Sequence, residues 1–114
     1  MSKNLYMKKV HIIVLTWNNE HLLERCLASI ENVDYSNFTI SVINNNSSDN
    51  SVNMIAEKFS NVSIVTNNEN LKFGAGYNSG LKRMNIKDED FIILLNDDTI
   101  VSRDFIDELI IPLL

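Results

Sequence analysis

Short apolar runs alternate with amphipathic stretches along most of the chain. Four runs rich in β-branched residues and leucine predict buried strands, and these are Lys8–Thr16, Phe38–Asn44, Val62–Asn67 and Asp90–Leu95. Three intervening stretches repeat their apolar residues at helical spacing. The first carries Leu22, Leu23, Cys26, Leu27 and Ile30, the second carries Val52, Ile55, Ala56 and Phe59, and the third covers Tyr77–Met84. The order β-α-β-α-β-α-β predicts an α/β fold with a parallel sheet covered by helices on both faces.

Residues that favour caps and turns precede the predicted helices. Asn18 or Asn19 suits the N-cap of the first helix, and Ser48 or Asp49 suits that of the second. A glycine-containing loop, NENLKFGAG, leads into the third helix. The final segment, SRDFIDELIIPLL, predicts a starting helix with a strongly apolar end. Either this end folds back on the domain or the chain is the first part of a longer protein, and we favour the second interpretation.

Polar residues cluster directly after three of the predicted strands. The clusters are Thr16-Trp17-Asn18, Asn44-Asn45-Asn46 and Asn96-Asp97-Asp98. In open parallel sheets, ligands bind beyond the carboxyl ends of the strands, so these clusters predict a binding site. Two adjacent carboxylates repel each other unless a positive charge binds between them. The sequence therefore raises the question of which positively charged group Asp97 and Asp98 bind.

Composition limits the range of functions. The chain has 114 residues, which suits one domain, and a net charge of −5 without any basic tract. A nucleic-acid groove is therefore not expected. The single cysteine, Cys26, permits no internal disulfide and fits a reducing compartment. Neither a signal peptide nor an apolar stretch of about 20 residues is visible, so we expect a cytoplasmic protein.

Other ligand-binding patterns fit poorly. A dinucleotide fold requires Gly-x-Gly-x-x-Gly directly after the first strand. The nearest match here begins at Gly74, has one residue too many and follows the third strand. No phosphate-binding P-loop is present, and a receiver domain would have acidic residues where this chain has Thr16-Trp17-Asn18. His11 within the first strand and Cys26 on an apolar helix face are best explained as core residues.

Four segments in a fixed order carry a family resemblance. They are HIIVLTWNNEHLLERCLASI, SVINNNSSDNS, NNENLKFGAGYNSGL and FIILLNDDT. Together, from Val10 to Phe105, they resemble the nucleotide-binding half of the large inverting glycosyltransferase family usually numbered 2. The Leu-Asn-Asp-Asp-Thr and Asn-Leu-x-Phe-Gly segments most resemble its rhamnosyltransferase-type branch. The resemblance implies the GT-A fold, a Rossmann-like, mostly parallel sheet flanked by helices.

The resemblance gives the two adjacent carboxylates separate roles. It implies that Asp98 binds a divalent cation, Mn²⁺ or Mg²⁺, against the diphosphate of a nucleotide sugar, while Asp97 faces the ribose hydroxyls. Carboxylate oxygens suit these hard cations, and Mg²⁺ commonly takes one or two carboxylates together with phosphate oxygens. The structural alternative is that Asp97 and Asp98 form a turn and cap the following segment.

The resemblance also assigns nucleotide contacts. Trp17 matches an aromatic residue that stacks near the nucleobase, with Thr16 close by, although a core or lid tryptophan is the alternative. Asn44 stands where family members usually have aspartate, which accepts a hydrogen bond from the base. An amide can still accept through its carbonyl oxygen. Asn46 and Asn96 belong to the same set of nucleotide-sugar-binding residues.

The glycine-containing loop is expected to approach the diphosphate. Lys72 replaces the commoner glycine and either contacts phosphate or is an ordinary solvated lysine. Gly74 and Gly76 would let the loop pass close to the ligand. Asp49 lies in a turn that the family shares, and we interpret it as a helix cap rather than a ligand.

The activity that the resemblance implies is sugar transfer, with inversion, from a UDP- or dTDP-linked donor. The acceptor would be a saccharide or a lipid-linked saccharide in bacterial cell-surface polysaccharide biosynthesis. Peripheral association with the inner face of the membrane is one option, and self-association through the apolar end LIIPLL is another expectation.

A general base is not assigned. An inverting transferase needs one to deprotonate the acceptor, and in this family it lies C-terminal to the metal cluster. Asp104, Asp107 and Glu108 do not match that position. We therefore expect an N-terminal tail at residues 1–8 and, at residues 9–114, the nucleotide-sugar-binding part of a transferase domain, truncated and catalytically incomplete. The alternatives are a non-catalytic nucleotide-sugar-binding module and a GT-A-like nucleotidyltransferase, although the latter usually has a glycine-rich basic loop after its first strand.

Overall fold

A computed structural model describes residues 8–113 and has the alternating α/β order that the sequence predicts. The strands are β1 (Val10–Thr16), β2 (Phe38–Asn44), β3 (Ser63–Thr66) and β4 (Phe91–Asn96). The helices are α1 (Glu20–Glu31), α2 (Ser51–Lys58), α3 (Phe73–Leu81) and α4 (Phe105–Ile110), followed by a 3₁₀ turn at Ile111–Leu113. The tail predicted at residues 1–8 lies outside the described residues except for Lys8.

All four strands are parallel and lie in the order β3-β2-β1-β4. The chain moves in one direction from β1 to β3 and then returns to the other side of β1 for β4. This reversal creates a topological switch point between β1 and β4, the place where open α/β sheets bind ligands. The predicted fold class is confirmed.

Helices cover both faces of the sheet, and β1 supplies side chains to both layers. Alternate residues of a strand point to opposite faces. Ile12 and Val14 pack in the larger core with residues of α1, α2 and α4, whereas Ile13 packs with Tyr77 of α3 on the other face. All residues of β1 except Leu15 are buried, and full burial of one such apolar side chain contributes about 1.5–3 kcal/mol.

The predicted apolar faces of α1 and α2 are correct in part. Leu23, Cys26, Leu27 and Ile30 are buried, whereas Leu22 lies at the edge of the helix face and is exposed. In the second helical stretch, Met54, Ile55 and Phe59 are buried, and Val52 and Ala56 are not. The sequence therefore predicted both helices, but it predicted apolar faces that are slightly wider than the buried faces in the structure.

The start of α3 differs from the prediction. The sequence predicted a glycine-containing loop before a helix at Tyr77, but α3 begins at Phe73 and contains every glycine of the chain. Close packing explains two of them. A Cβ on Gly80 would lie 2.6 Å from Cγ1 of Ile43, and one on Gly76 would lie 3.2 Å from Cδ1 of Leu15. Glycine here brings a helix close to the sheet instead of freeing a loop.

His11 and Cys26 are core residues, as predicted. His11 is buried, and its ring nitrogens lie 2.8 Å from Oδ2 of Asp90 and 3.1 Å from Oγ1 of Thr39. The hydrogen bond from His11 is the main reason that the pKa of Asp90 lies below its usual value. Burial, reinforced by the negative charge of Asp97, raises the pKa of the Cys26 thiol to about 11.

The outer edge of β4 carries apolar side chains on one face. Ile92 is 44% exposed and Leu94 is 46% exposed, and no strand among residues 8–113 pairs with this edge. Leu109, Ile111 and Leu113 at the end of the chain are also exposed. None of the helices in the described region is both long and apolar enough to span a membrane.

Candidate functional site

The carboxyl ends of the strands bring the three predicted polar clusters to one edge of the sheet. Thr16 at the end of β1 is the register partner of Asn44 on β2, and Leu15 is the partner of Asn96 on β4. Because all strands are parallel, the loops that follow them leave the sheet on the same side. The structure thus confirms that these segments meet.

Asp97 is held by two neutral donors. Oγ1 of the buried Thr16 donates to Oδ2 at 2.9 Å, and Nδ2 of Asn19 donates to Oδ1 at 3.0 Å. Each carboxylate oxygen therefore has a partner on a different segment. The two hydrogen bonds therefore anchor the carboxylate to the end of β1 and to the start of α1.

Asp98 has a different environment. Its side chain is exposed, and no hydrogen bond or ion pair from the described residues reaches its carboxylate. Thr99 N–H donates to the carbonyl of Asn96 at 3.1 Å, so these residues also form a turn. The turn expected as the structural alternative is present, and it leaves the carboxylate of Asp98 available to a ligand.

The loops after β1 and β2 are joined by hydrogen bonds centred on Asn18. Oδ1 of Asn18 accepts from the backbone N–H groups of Ser48, at 2.6 Å, and Asp49, at 3.2 Å. Asn18 and Asn46 have φ angles of 47° and 65°, and asparagine tolerates this left-handed region better than most residues. The two loops therefore form one connected rim.

The predicted helix caps are present in altered form. The N-cap positions are Asn19 for α1 and Asn50 for α2, and neither side chain caps its own helix. Asp49, predicted as a cap, instead accepts from Ser51 N–H at 3.0 Å and from Glu20 N–H at 3.2 Å. The carboxylate of Asp49 thus accepts a hydrogen bond from the first backbone N–H of each helix, whereas the side chain of Ser48 caps neither helix.

Asn44 is buried, and its side chain is engaged within the protein. Its Oδ1 accepts from Ser47 N–H at 2.9 Å, and its Nδ2 lies 3.5 Å from Oγ1 of Thr66. A carbonyl oxygen has a second lone pair, so Asn44 can still accept one hydrogen bond from a ligand.

Asn45 organises the edge, although sequence analysis missed it. Its Oδ1 accepts from Asn67 Nδ2 and from Leu71 N–H, each at 3.1 Å, and its Nδ2 donates to Asn70 and to the carbonyl of Leu71. This buried amide thereby fixes the loop that precedes Lys72. Its place inside an asparagine run was the available signal, but the run alone does not identify how each member is used.

The remaining predicted residues are exposed around this rim. Trp17 is 50% exposed, and Asn46, Lys72 and Asn96 are also accessible. Lys72 occupies the N-cap position of α3. No hydrogen bond or ion pair in the described region joins any of these four side chains to the carboxylates of Asp97 or Asp98. The structure thus brings Thr16 and Asp97 into contact, buries Asn44 and leaves these four side chains open to solvent.

Tyr77 was also missed as a site residue. Its hydroxyl donates to the carbonyl of Leu95 at 2.5 Å and accepts from Leu15 N–H at 3.3 Å. It therefore bridges β1 and β4 at the switch point. Burial raises the pKa of Tyr77, the hydrogen bond from Leu15 opposes this, and the charge of Asp97 adds to it. The sequence indicated only that this tyrosine lies in a helix.

The carboxylates fit a cation that arrives with a ligand. Within residues 8–113, no group of three His, Cys, Asp or Glu side chains could hold a metal ion. A single free carboxylate, Asp98, beside an anchored one, Asp97, is too small a donor set for a resident metal. It does suit Mg²⁺ or Mn²⁺ bound mainly by phosphate oxygens and water.

Comparisons with known proteins agree with this geometry. Residues 11–113 match the sequence profile described as Glycosyl transferase family 2. Glycosyltransferase GlyA of Streptococcus pneumoniae is 30% identical over 104 residues, which cover 89% of this chain and 14% of that protein. A dolichyl N-acetyl-alpha-D-glucosaminyl phosphate 3-beta-D-2,3-diacetamido-2,3-dideoxy-beta-D-glucuronosyltransferase of Methanococcus voltae is 31% identical over 107 residues, which cover 88% of this chain and 32% of that protein.

Solved structures share the fold. Residues 1–349 of TarS from S. aureus, in complex with UDP-GlcNAc, match with a TM-score of 0.76 and 22% identity over 89% of this chain and 30% of that one. The mannosyltransferase PcManGT from Pyrobaculum calidifontis, in complex with GDP-Man and Mn²⁺, matches with a TM-score of 0.75 and 22% identity, covering 89% and 31%. The chain spans less than a third of the length of each of these relatives and neighbours.

Proposed function

The chain belongs to glycosyl transferase family 2. From that premise we propose that the edge of the sheet at the carboxyl ends of its strands, the carboxyl edge, binds a nucleoside-diphosphate sugar for transfer to an acceptor. The observation that carries the proposal is the pair formed by an anchored Asp97 and a free Asp98 at the switch point of the sheet. We further propose a UDP- or dTDP-linked donor, inversion at the transferred carbon, and the rhamnosyltransferase-type branch.

Asp98 is the proposed cation ligand. Its exposed carboxylate can bind Mn²⁺ or Mg²⁺ together with the two phosphates of the donor. The cation would neutralise negative charge on the departing diphosphate. A structural neighbour that carries both GDP-Man and Mn²⁺ supports this use of a divalent metal. Lys72, at the start of α3, is proposed to contact the same phosphates.

The nucleoside is proposed to lie across the ends of β1 and β2. Trp17 offers an exposed aromatic face on which a base can stack, an interaction worth about 1–3 kcal/mol per base in nucleic-acid complexes. Asn44 would use the free lone pair of its carbonyl, and Asn46 lies at the accessible rim beside it. Asp97 would accept from the ribose hydroxyls, because a carboxylate that already accepts two hydrogen bonds has further lone pairs.

The remaining roles concern the wider protein. Thr16 acts through Asp97, and Asn96 presents an accessible side chain beside it. The acceptor is proposed to be a saccharide or a lipid-linked saccharide; the name of the M. voltae relative includes a dolichyl phosphate sugar. We propose that residues 9–114 supply the donor side and that the general base lies outside them. We also propose that the protein acts at the cytoplasmic face of a membrane and that it self-associates through its apolar C-terminal segment.

Calorimetry with UDP and dTDP, with and without Mn²⁺, tests the donor site. We expect Mn²⁺ to strengthen binding at least tenfold and Asp98→Ala to remove that gain, since about 1.4 kcal/mol corresponds to a factor of ten. Asp88→Ala is the matched control, because Asp88 is an exposed aspartate just before the opposite end of β4. Equal affinity with and without Mn²⁺, or an equal loss in both variants, would remove the metal role.

A further inference from the structure

Asn19 has an unusual orientation for a residue at the start of a helix. An asparagine at an N-cap normally accepts a hydrogen bond from a backbone N–H in the first turn of its own helix. Asn19 occupies the N-cap of α1 but makes no side-chain cap bond. Its amide instead donates to Oδ1 of Asp97, at 3.0 Å, across 78 positions of sequence.

A different residue covers the start of α1. Oδ2 of Asp49 accepts from Glu20 N–H at 3.2 Å. The first N–H of the helix, which has no acceptor within the helix, thus donates to a carboxylate of the neighbouring loop. The side chain of Asn19 is thereby free to act elsewhere, and the contact it makes is with a carboxylate of the proposed donor site.

The two donors restrain Asp97 in a way that neither could alone. Thr16 bonds Oδ2 from the end of β1, and Asn19 bonds Oδ1 from the start of α1. A single donor to one oxygen leaves the side chain able to pivot about that hydrogen bond and to change its χ1 rotamer. Donors on both oxygens, from two different segments, hold the side chain in one χ1 rotamer and fix the plane of its carboxylate.

We propose that Asn19 is a positioning residue for the donor site, a role that rests on the proposed function. It holds the Asp97 carboxylate in one orientation, so that Asp97 faces the nucleotide while Asp98 alone is free to bind the cation. Asn19 itself touches neither the nucleotide nor the metal.

Asn19→Asp is the sharpest variant. Aspartate matches asparagine in shape and in N-cap preference, but it replaces the amide donor with a carboxylate facing Asp97. Asn50→Asp is the matched control, because Asn50 occupies the N-cap of α2, is exposed and has no contact with either carboxylate in the described structure. Asn19→Ala is a second variant that removes the donor without adding charge.

The first measurement needs no ligand. Three-bond NMR couplings report whether the Asp97 side chain holds one χ1 rotamer. We expect a single rotamer in the wild-type chain and in Asn50→Asp, and rotamer averaging or a changed rotamer in both Asn19 variants. A single unchanged Asp97 rotamer in Asn19→Asp and Asn19→Ala would overturn the proposal. Thermal unfolding identifies any variant that has lost its fold.

The second measurement is UDP affinity in the presence of Mn²⁺. We expect Asn19→Asp to weaken it about tenfold or more, the loss expected for one hydrogen bond to a charged group, while Asn50→Asp stays within about twofold of the wild type. Equal losses in Asn19→Asp and Asn50→Asp would contradict positioning. If the wild type binds no nucleotide but Asp97 loses its single rotamer in the Asn19 variants, the positioning of Asp97 stands and the donor site is refuted.

Discussion

Single hydroxyl and amide groups connect the strands, loops and carboxylates at the carboxyl edge. Thr16, Asn19 and Tyr77 each use a side-chain polar atom to bond a segment far away in sequence. Such bonds are worth more to stability than their number suggests, because each would leave a partly buried partner unsatisfied if it were removed. Substitutions that delete one atom at these residues are therefore informative.

Tyr77→Phe removes the hydroxyl that bridges β1 and β4. The backbone N–H of Leu15 and the carbonyl of Leu95 then lose the hydroxyl as a hydrogen-bond partner. We expect the free energy of unfolding to fall by about 1–3 kcal/mol. Urea denaturation followed by circular dichroism measures this change. A variant as stable as the wild type would mean that the bridge contributes nothing to stability.

The His11–Asp90 pair predicts a pH dependence of stability. The pKa of folded Asp90 is lowered, chiefly by the hydrogen bond from His11, so its stabilising contribution is full above the unfolded pKa, about 3.9. This contribution is lost as the pH falls from that value through the folded pKa. The stability difference between wild type and Asp90→Asn should therefore shrink as the pH falls below about 4.

Denaturation at several pH values checks the Asp90 prediction. Asp88→Asn is the matched control, since it changes an exposed neighbour that makes no such hydrogen bond in the described structure. A wild-type to Asp90→Asn difference that stays constant with pH would show that the pair does not lower the pKa of Asp90.

At the scale of elements, α3 owes its position to glycine. Gly80 lies directly on Ile43 of β2, and Gly76 lies on Leu15 of β1. This close approach brings Tyr77 within reach of the switch point and places the start of α3, with Lys72, at the carboxyl edge. Helix propensity would favour alanine at each glycine by about 1 kcal/mol, so packing and propensity oppose each other in this element.

Gly80→Ala and Gly74→Ala separate packing from propensity. A Cβ at position 80 would lie 2.6 Å from Cγ1 of Ile43, so we expect Gly80→Ala to destabilise the fold by about 1–3 kcal/mol through overpacking. Nothing lies within 4 Å of a Cβ at position 74, so Gly74→Ala should be neutral or stabilise by up to about 1 kcal/mol. Chemical denaturation of both variants tests this, and the same sign for both would reject the packing argument.

At the scale of the whole molecule, the proposed donor-binding edge and an open sheet edge occur together. Asp97 and Asp98 follow β4, whose outer side has no strand partner in residues 8–113 and exposes Ile92 and Leu94. The anchored and free carboxylates account for the proposed donor binding. The proposed function places the base for acceptor-side proton transfer outside these residues.

We expect the 114-residue chain to bind donor but to transfer no sugar. General base catalysis contributes about 10²- to 10⁴-fold, and positioning of the acceptor contributes more. A donor left open to water should undergo slow hydrolysis at most. A transfer assay with a panel of nucleotide sugars and saccharide acceptors measures this, and clear glycosylation of an acceptor by this chain would show that it holds a base.

The sequence by itself determined the strands, their order along the chain and the edge where the polar clusters meet, whereas their order within the sheet came from the tertiary structure. These features depend on local patterns: β-branched runs form strands, alternation along the chain requires parallel crossovers, and parallel strands end on the same side. For this reason Thr16, Asn44 and Asp97 could be placed together from sequence, and the family could be identified from motifs around them.

Only the tertiary structure decided which side chains touch across that edge. Asn18, Asn19, Asn44 and Asn45 are chemically identical, yet the first joins two loops, the second orients a carboxylate, the third binds a turn and the fourth fixes the loop before α3. The roles of Asn18, Asn19 and Asn45 depend on contacts between segments separated by as many as 78 positions, which no local pattern encodes. Gly74 and Gly76 were misassigned to a loop for the same reason, because the close approach of Gly76 to Leu15 is a property of the packed sheet.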